Sequence, residues 1–69
     1  MNNGGRIMDK WDRLKIRLEE DKNSAINARE VAEDTHHHEL FYFFKGKVNA
    51  IAEVLRLMEE IEGDNNENY

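Results

Sequence analysis

The chain has no cysteine and no proline among its 69 residues. Without thiols it can form no disulfide framework, hold no thiolate-bound metal and offer no cysteine nucleophile, and a reducing cytoplasm is the expected setting. Without proline, and with glycine confined to Gly4, Gly5, Gly46 and Gly63, almost nothing interrupts a helix between Met8 and Ile61. Long hydrophobic runs are missing as well. Runs such as Leu40 to Phe44 fall far short of the roughly 20 apolar residues of a membrane span, and the N-terminus has no secretory apolar stretch. Neither membrane insertion nor export is expected.

Basic residues are the minority, 10 Lys and Arg against 15 Asp and Glu, for a formal charge of −5. Such a surface repels the phosphate backbone and steers toward basic proteins, so nucleic acid is disfavoured as a partner. Size sets a further limit. Chains below roughly 70–80 residues rarely bury enough apolar surface to be stable alone. With disulfides excluded, association with a second copy or another protein is the expected remedy.

What the sequence does have is helical periodicity. Helix 1 is expected over 9–33, opening at Asp9, whose carboxylate can accept from the unpaired N–H groups of the first turn. Its apolar positions Trp11, Leu14, Leu18, Ala25, Ala28 and Ala32 recur at three- and four-residue intervals, with Asp21 breaking the register. Helix 2 is expected over 36–62, with Leu40, Phe44, Val48, Ile51, Leu55, Met58 and Ile61 along one side and Phe41 and Val54 widening the stripe. The polar cluster from Glu33 to Glu39 separates them, with Asp34 or Thr35 as the cap of a new helix. That cluster contains no glycine or proline, so one continuous helix in an extended coiled coil stays open as an alternative. Gly63 is placed as a C-cap. Residues 1–8 and 63–69 read as flexible tails.

The fold expected is all-α, a two-helix antiparallel hairpin that dimerises into a four-helix bundle. The alanine-rich end of helix 1 is too small to cover Leu40, Phe41, Tyr42, Phe43 and Phe44, so at least one of these should lie at a second interface. The residues assigned to protein interfaces are Trp11, Leu14, Leu18, Phe41, Tyr42, Phe43, Phe44, Ile51, Leu55 and Met58.

Chemistry finds little support. His36, His37 and His38 are of metal-ligand type, but neighbours on a helix point roughly 100° apart and cannot converge on one ion. They read as exposed linker or helix-start residues, with a metal site completed across an oligomer, or a pH response, as the alternatives. Lys45-Gly46-Lys47 lacks the other glycine and the hydroxyl residue of a phosphate loop. Gly46 costs its helix about 1 kcal/mol, and close approach of a neighbouring backbone is the expected compensation. Lys10, Arg13, Arg17 and Lys22 sit among acidic residues and read as a solvated face. Carboxylates are plentiful, yet none has an evident apolar pocket to raise its pKa, so no enzymatic activity, metal or cofactor is expected.

The run from Leu40 through Lys45-Gly46-Lys47 to Met58-Glu59-Glu60, preceded by Trp11-Asp12-Arg13-Leu14, resembles small uncharacterised helical proteins of phages and prophages of Gram-positive bacteria. The resemblance covers about two-thirds of the chain, rests on helical low-complexity sequence and carries over no functional residues. It implies a short accessory protein that binds and modifies a host protein in the bacterial cytoplasm. Three functions therefore stand: a protein-interaction module inhibiting or modulating a basic host protein, with Phe41, Tyr42 and Phe43 as contacts and Glu53, Glu59 and Glu60 supplying charge; a purely structural homo-oligomeric bundle; and, least favoured, a nucleic-acid-binding bundle.

Overall fold

A computed structural model describes residues 9–67, with side chains through Gly63. Two helices, α1 (Lys10–Asp34) and α2 (His38–Glu67), pack against each other as an antiparallel hairpin. The body measures 49 × 28 × 13 Å, so it is one helix thick. The continuous-helix alternative is thereby excluded.

Asp9 is the N-cap of α1, its Oδ1 accepting from the Asp12 N–H at 2.8 Å. The other end closes without glycine. The His37 N–H donates to the Ala32 carbonyl at 2.8 Å and the His36 N–H to the Glu33 carbonyl at 3.1 Å, the paired bonds of a Schellman cap. That motif requires a left-handed residue after the cap, and His36 takes it at φ 60°. The Thr35 hydroxyl ties back to the Val31 carbonyl at 2.8 Å, and α2 begins with the Phe41 N–H donating to the His37 carbonyl at 2.9 Å. Asp34 and Thr35 thus end α1, as its last residue and its C-cap, rather than capping α2. The turn forms because backbone and side-chain donors satisfy the last carbonyls of α1, with His36 taking the left-handed position that glycine more often fills.

Helix 2 does not stop at 62. Gly63 lies inside α2, which continues to Glu67, because nothing at Gly63 turns the backbone left-handed. The expected N-terminal tail, 1–8, lies outside the described residues.

The helices meet along two seams that step alternately by three and four residues, the spacing of a coiled coil. On α2 the seam is Phe41, Phe44, Val48, Ile51, Leu55, Met58 and Glu62, all buried or half-buried. On α1 it is Trp11, Lys15, Leu18, Lys22, Ala25, Arg29 and Ala32, likewise buried or half-buried. Basic residues therefore alternate with apolar ones along α1, laying their aliphatic stems across α2. The Trp11 Nε1–H donates to Glu62 Oε2, and Lys15 Nζ stands 3.3 Å from Glu62 Oε1. Those contacts fix the register. At the same rise per residue on both helices they set Leu18 level with Leu55, Lys22 with Ile51, Ala25 with Val48 and Ala32 with Phe41. The apolar core is small: Ala25, Ala32, Ile51 and Met58 are its buried members.

Candidate interaction surface

The α1 stripe read from the sequence is rotated in the structure. Leu14 is 48% exposed, and its expected place facing α2 is taken by Lys15, whose ammonium has Glu62 to reach. On α2, the single wide stripe resolves into two. Phe41, Phe44, Val48, Ile51, Leu55 and Met58 face α1, while Leu40, Val54 and Ile61 do not. These three belong to a second stripe: Leu40, Phe43, Lys47, Ala50, Val54, Leu57 and Ile61, again stepping by three and four residues and exposed at every position.

Electrostatics explains which stripe α1 takes. Shifting α2 round by one residue would bring Lys47 beside Lys22 and Arg29 and would remove Glu62 from Lys15 and Trp11. The observed pairing keeps like charges apart and places the one acidic seam residue against a cation. The aromatic-rich stretch divides accordingly. Phe41 and Phe44 lie half-buried toward α1, whereas Tyr42 and Phe43 are 65% and 62% exposed. Edge-to-face contacts join Phe41 to Tyr42 at 5.2 Å and Phe43 to Phe44 at 5.0 Å, and Lys45 Nζ sits 5.8 Å from the Tyr42 ring centre. Each exposed ring is thus held by a seam neighbour.

In an antiparallel pair, the same heptad edge of both helices falls on the same side of the hairpin. Leu14, Ala28 and Val31 of α1 therefore flank the open stripe of α2. Through Gly63, every acidic residue of the hairpin except Asp21 lies off this face. Asp21 is paired with Arg17 at 3.6 Å. On the far side of α2, Arg56 bridges Glu53 and Glu60. Its hydrogen bond, then its charge, lowers the Glu53 pKa from the ordinary carboxylate value, and Arg56 itself is raised, chiefly by Glu53. Of the acidic contacts assigned from sequence, Glu53 and Glu60 are thus engaged within their own helix, and Phe41 is turned toward α1.

Gly46 points to open space, with nothing among the described residues within 4 Å of where a Cβ would stand, so no described backbone approaches it closely. His36, His37 and His38 are exposed; Thr35 Oγ1 lies 2.9 Å from His37 Nδ1. Among the described residues no group of three His, Asp or Glu side chains is placed to hold a metal ion, and no helix is long and apolar enough to cross a membrane. A hollow of about 320 Å³ opens at the turn, lined by Ala32, Glu33, His36, His38, Phe41 and Tyr42, too shallow to exclude water. No protein-family model, curated protein or solved structure matches this chain.

Proposed function

We propose that this chain is a small, non-enzymatic protein-interaction module of the cytoplasm, and that its working surface is the open stripe of α2. The observation that supports it is the second apolar seam itself. Domains are built from at least two packed layers around a core, and this hairpin is one layer with a complete heptad seam left facing outward. Exposed apolar side chains scattered singly need no explanation; a contiguous stripe three turns or more long does. A helix presenting anchors at such spacing is the usual docking element of helix-in-groove and bundle partners. A four-helix bundle made from two hairpins is one arrangement that covers the stripe, and a groove on a basic host protein, as for an accessory inhibitor of phage origin, is the other.

A photoreactive amino acid tests this without presuming the partner. Placed at Leu57 on the stripe, it is expected to give a crosslinked species in cells, whether to another polypeptide or to a second copy. Placed at Ala52, exposed on the opposite side of α2, it is expected to give none. Crosslinking from Ala52 alone, or from neither position, refutes the reading.

A further inference from the structure

We infer that the occupant of the open stripe is a second copy of this chain, whose α2 lies antiparallel on the first with Ala50 opposite the partner's Ala50. The inference rests on the stripe being an interaction surface, and it names the partner.

Three observations carry it. The stripe is self-complementary when reversed. Turned about Ala50, Leu40 meets the partner's Ile61 and Phe43 meets the partner's Leu57, large against large at the ends, with the smallest side chain at the centre. Interdigitation of this kind is what packed helices require.

Charge selects the antiparallel arrangement. A parallel pair would set Lys47 against the partner's Lys47 in the middle of an apolar face. Reversed, Lys47 meets the partner's Val54, along which its stem can lie. The hairpin register then brings the partner's Asp21 to nearly the same level along the axis, offering the ammonium an opposite charge. Through Gly63, acidic residues other than Asp21 stay off the face, so two copies can close on it and keep a negative coat outside. A foreign basic protein drawn by that coat would be steered to the wrong side of the hairpin.

The area is also sufficient. Leu40, Phe43, Val54, Leu57 and Ile61 on α2 and Leu14 and Val31 on α1 are between 41% and 62% exposed. That leaves on the order of 600 Å² of exposed surface on apolar residues per copy, so covering all of it would bury about 1,200 Å² across a pair, the lower end of a specific interface. A face of this kind also explains how a chain with so small an internal core stays folded.

Sedimentation equilibrium on the purified chain is expected to give twice 8.2 kDa. Leu57→Lys, at a position with no role in the seam, is expected to weaken self-association at least tenfold, with helicity followed by circular dichroism at matched concentration. Because the chain lacks cysteine, orientation can be read directly. Ala50→Cys is expected to form an intermolecular disulfide. Phe43→Cys mixed with Leu57→Cys is expected to crosslink as the mixed pair, and Phe43→Cys alone is expected not to. A dimer that ignores Leu57→Lys, or one in which Phe43→Cys pairs with itself, overturns the inference. A monomer that crosslinks from Leu57 to a different protein overturns the identity of the partner and leaves the interaction surface standing; a monomer with no crosslink from Leu57 removes both.

Discussion

Replacing Gly46 by alanine should make this protein more stable, and the reason can be worked from its surroundings. Gly46 lies well inside α2 on the exposed side away from α1. Its φ is not positive, so the backbone there is one that any residue adopts. A Cβ added at this position meets nothing within 4 Å. With no clash and no strain, the substitution acts only through helix propensity and the lost freedom of the unfolded chain, a gain of about 1 kcal/mol. For a chain of this size that is a rise in Tm of roughly 4–8 °C. Thermal unfolding followed by circular dichroism reads it, at one fixed protein concentration because the proposed self-association would make Tm concentration-dependent. The urea midpoint should rise with the slope unchanged. A loss of stability from Gly46→Ala would refute the reasoning in an informative way: a second backbone would then have to lie against Gly46, which borders the open stripe between Phe43 and Ala50.

Three further outcomes follow from the same geometry. His36→Gly should stabilise the hairpin by about 1 kcal/mol, because a left-handed backbone costs an L-residue roughly 1–2 kcal/mol and glycine little; an unchanged or lower urea midpoint would show that His36 makes a contact worth more than its strain. Met58→Ala, at a position 4% exposed in the seam, should cost about 2–5 kcal/mol, enough to abolish the helical signal of so small a domain at 25 °C, and a retained cooperative melt would contradict the assigned core. The Glu53 carboxyl, held below the ordinary carboxylate value by the Arg56 hydrogen bond and charge, contributes stability that is present above the unfolded carboxylate pKa and lost as pH falls through its own depressed value. An NMR titration should show the Glu53 midpoint rise in Arg56→Met, and a midpoint that does not move would refute the pairing.

The hairpin was legible in the sequence because its two apolar segments have strong helical period and only 33–39 offers cap chemistry between them. Asp9 as the first cap was legible for the same reason. The facing of the helices was not. Leu14, Leu18 and Ala28 look like one stripe when only apolar residues are counted, yet the structure uses Lys15, Lys22 and Arg29 in the seam and leaves Leu14 outside. A basic side chain reads as surface, although its stem is apolar and long enough to cover a neighbouring helix. On α2 the difficulty was the reverse. So many apolar positions are present that a seam and a second stripe one residue round from it merge into one broad face, and only the charges of Lys47 and Glu62 separate them. A count of strict three-and-four steps from Leu40 and again from Phe41 would have found both. The left-handed turn at His36 had only a weak signal: histidine is among the non-glycine residues enriched in that conformation, but three stand in a row and nothing in the sequence singles out the first.

The composition of the α1 seam bears on how folding and association are linked. Three of its seven positions are basic, so the contact with α2 buries stems and small alanines where leucines would give a stronger hairpin. The residues that could have filled those positions, Leu14 among them, are instead turned toward the side where α2 shows its second stripe. Apolar material has been moved from the internal seam to the outer face. On the proposed reading, a hairpin built this way gains much of its stability only when that face is covered, and the chain would then exist in two states, a loosely held monomer and a well-packed complex. Mass action makes the fraction folded rise with the concentration of whatever covers the face. With a second copy as the occupant, that quantity is the concentration of the protein itself, and melts at increasing concentration should move together with the sedimentation result; a Tm independent of concentration in a dimeric sample would mean that the internal seam alone is sufficient.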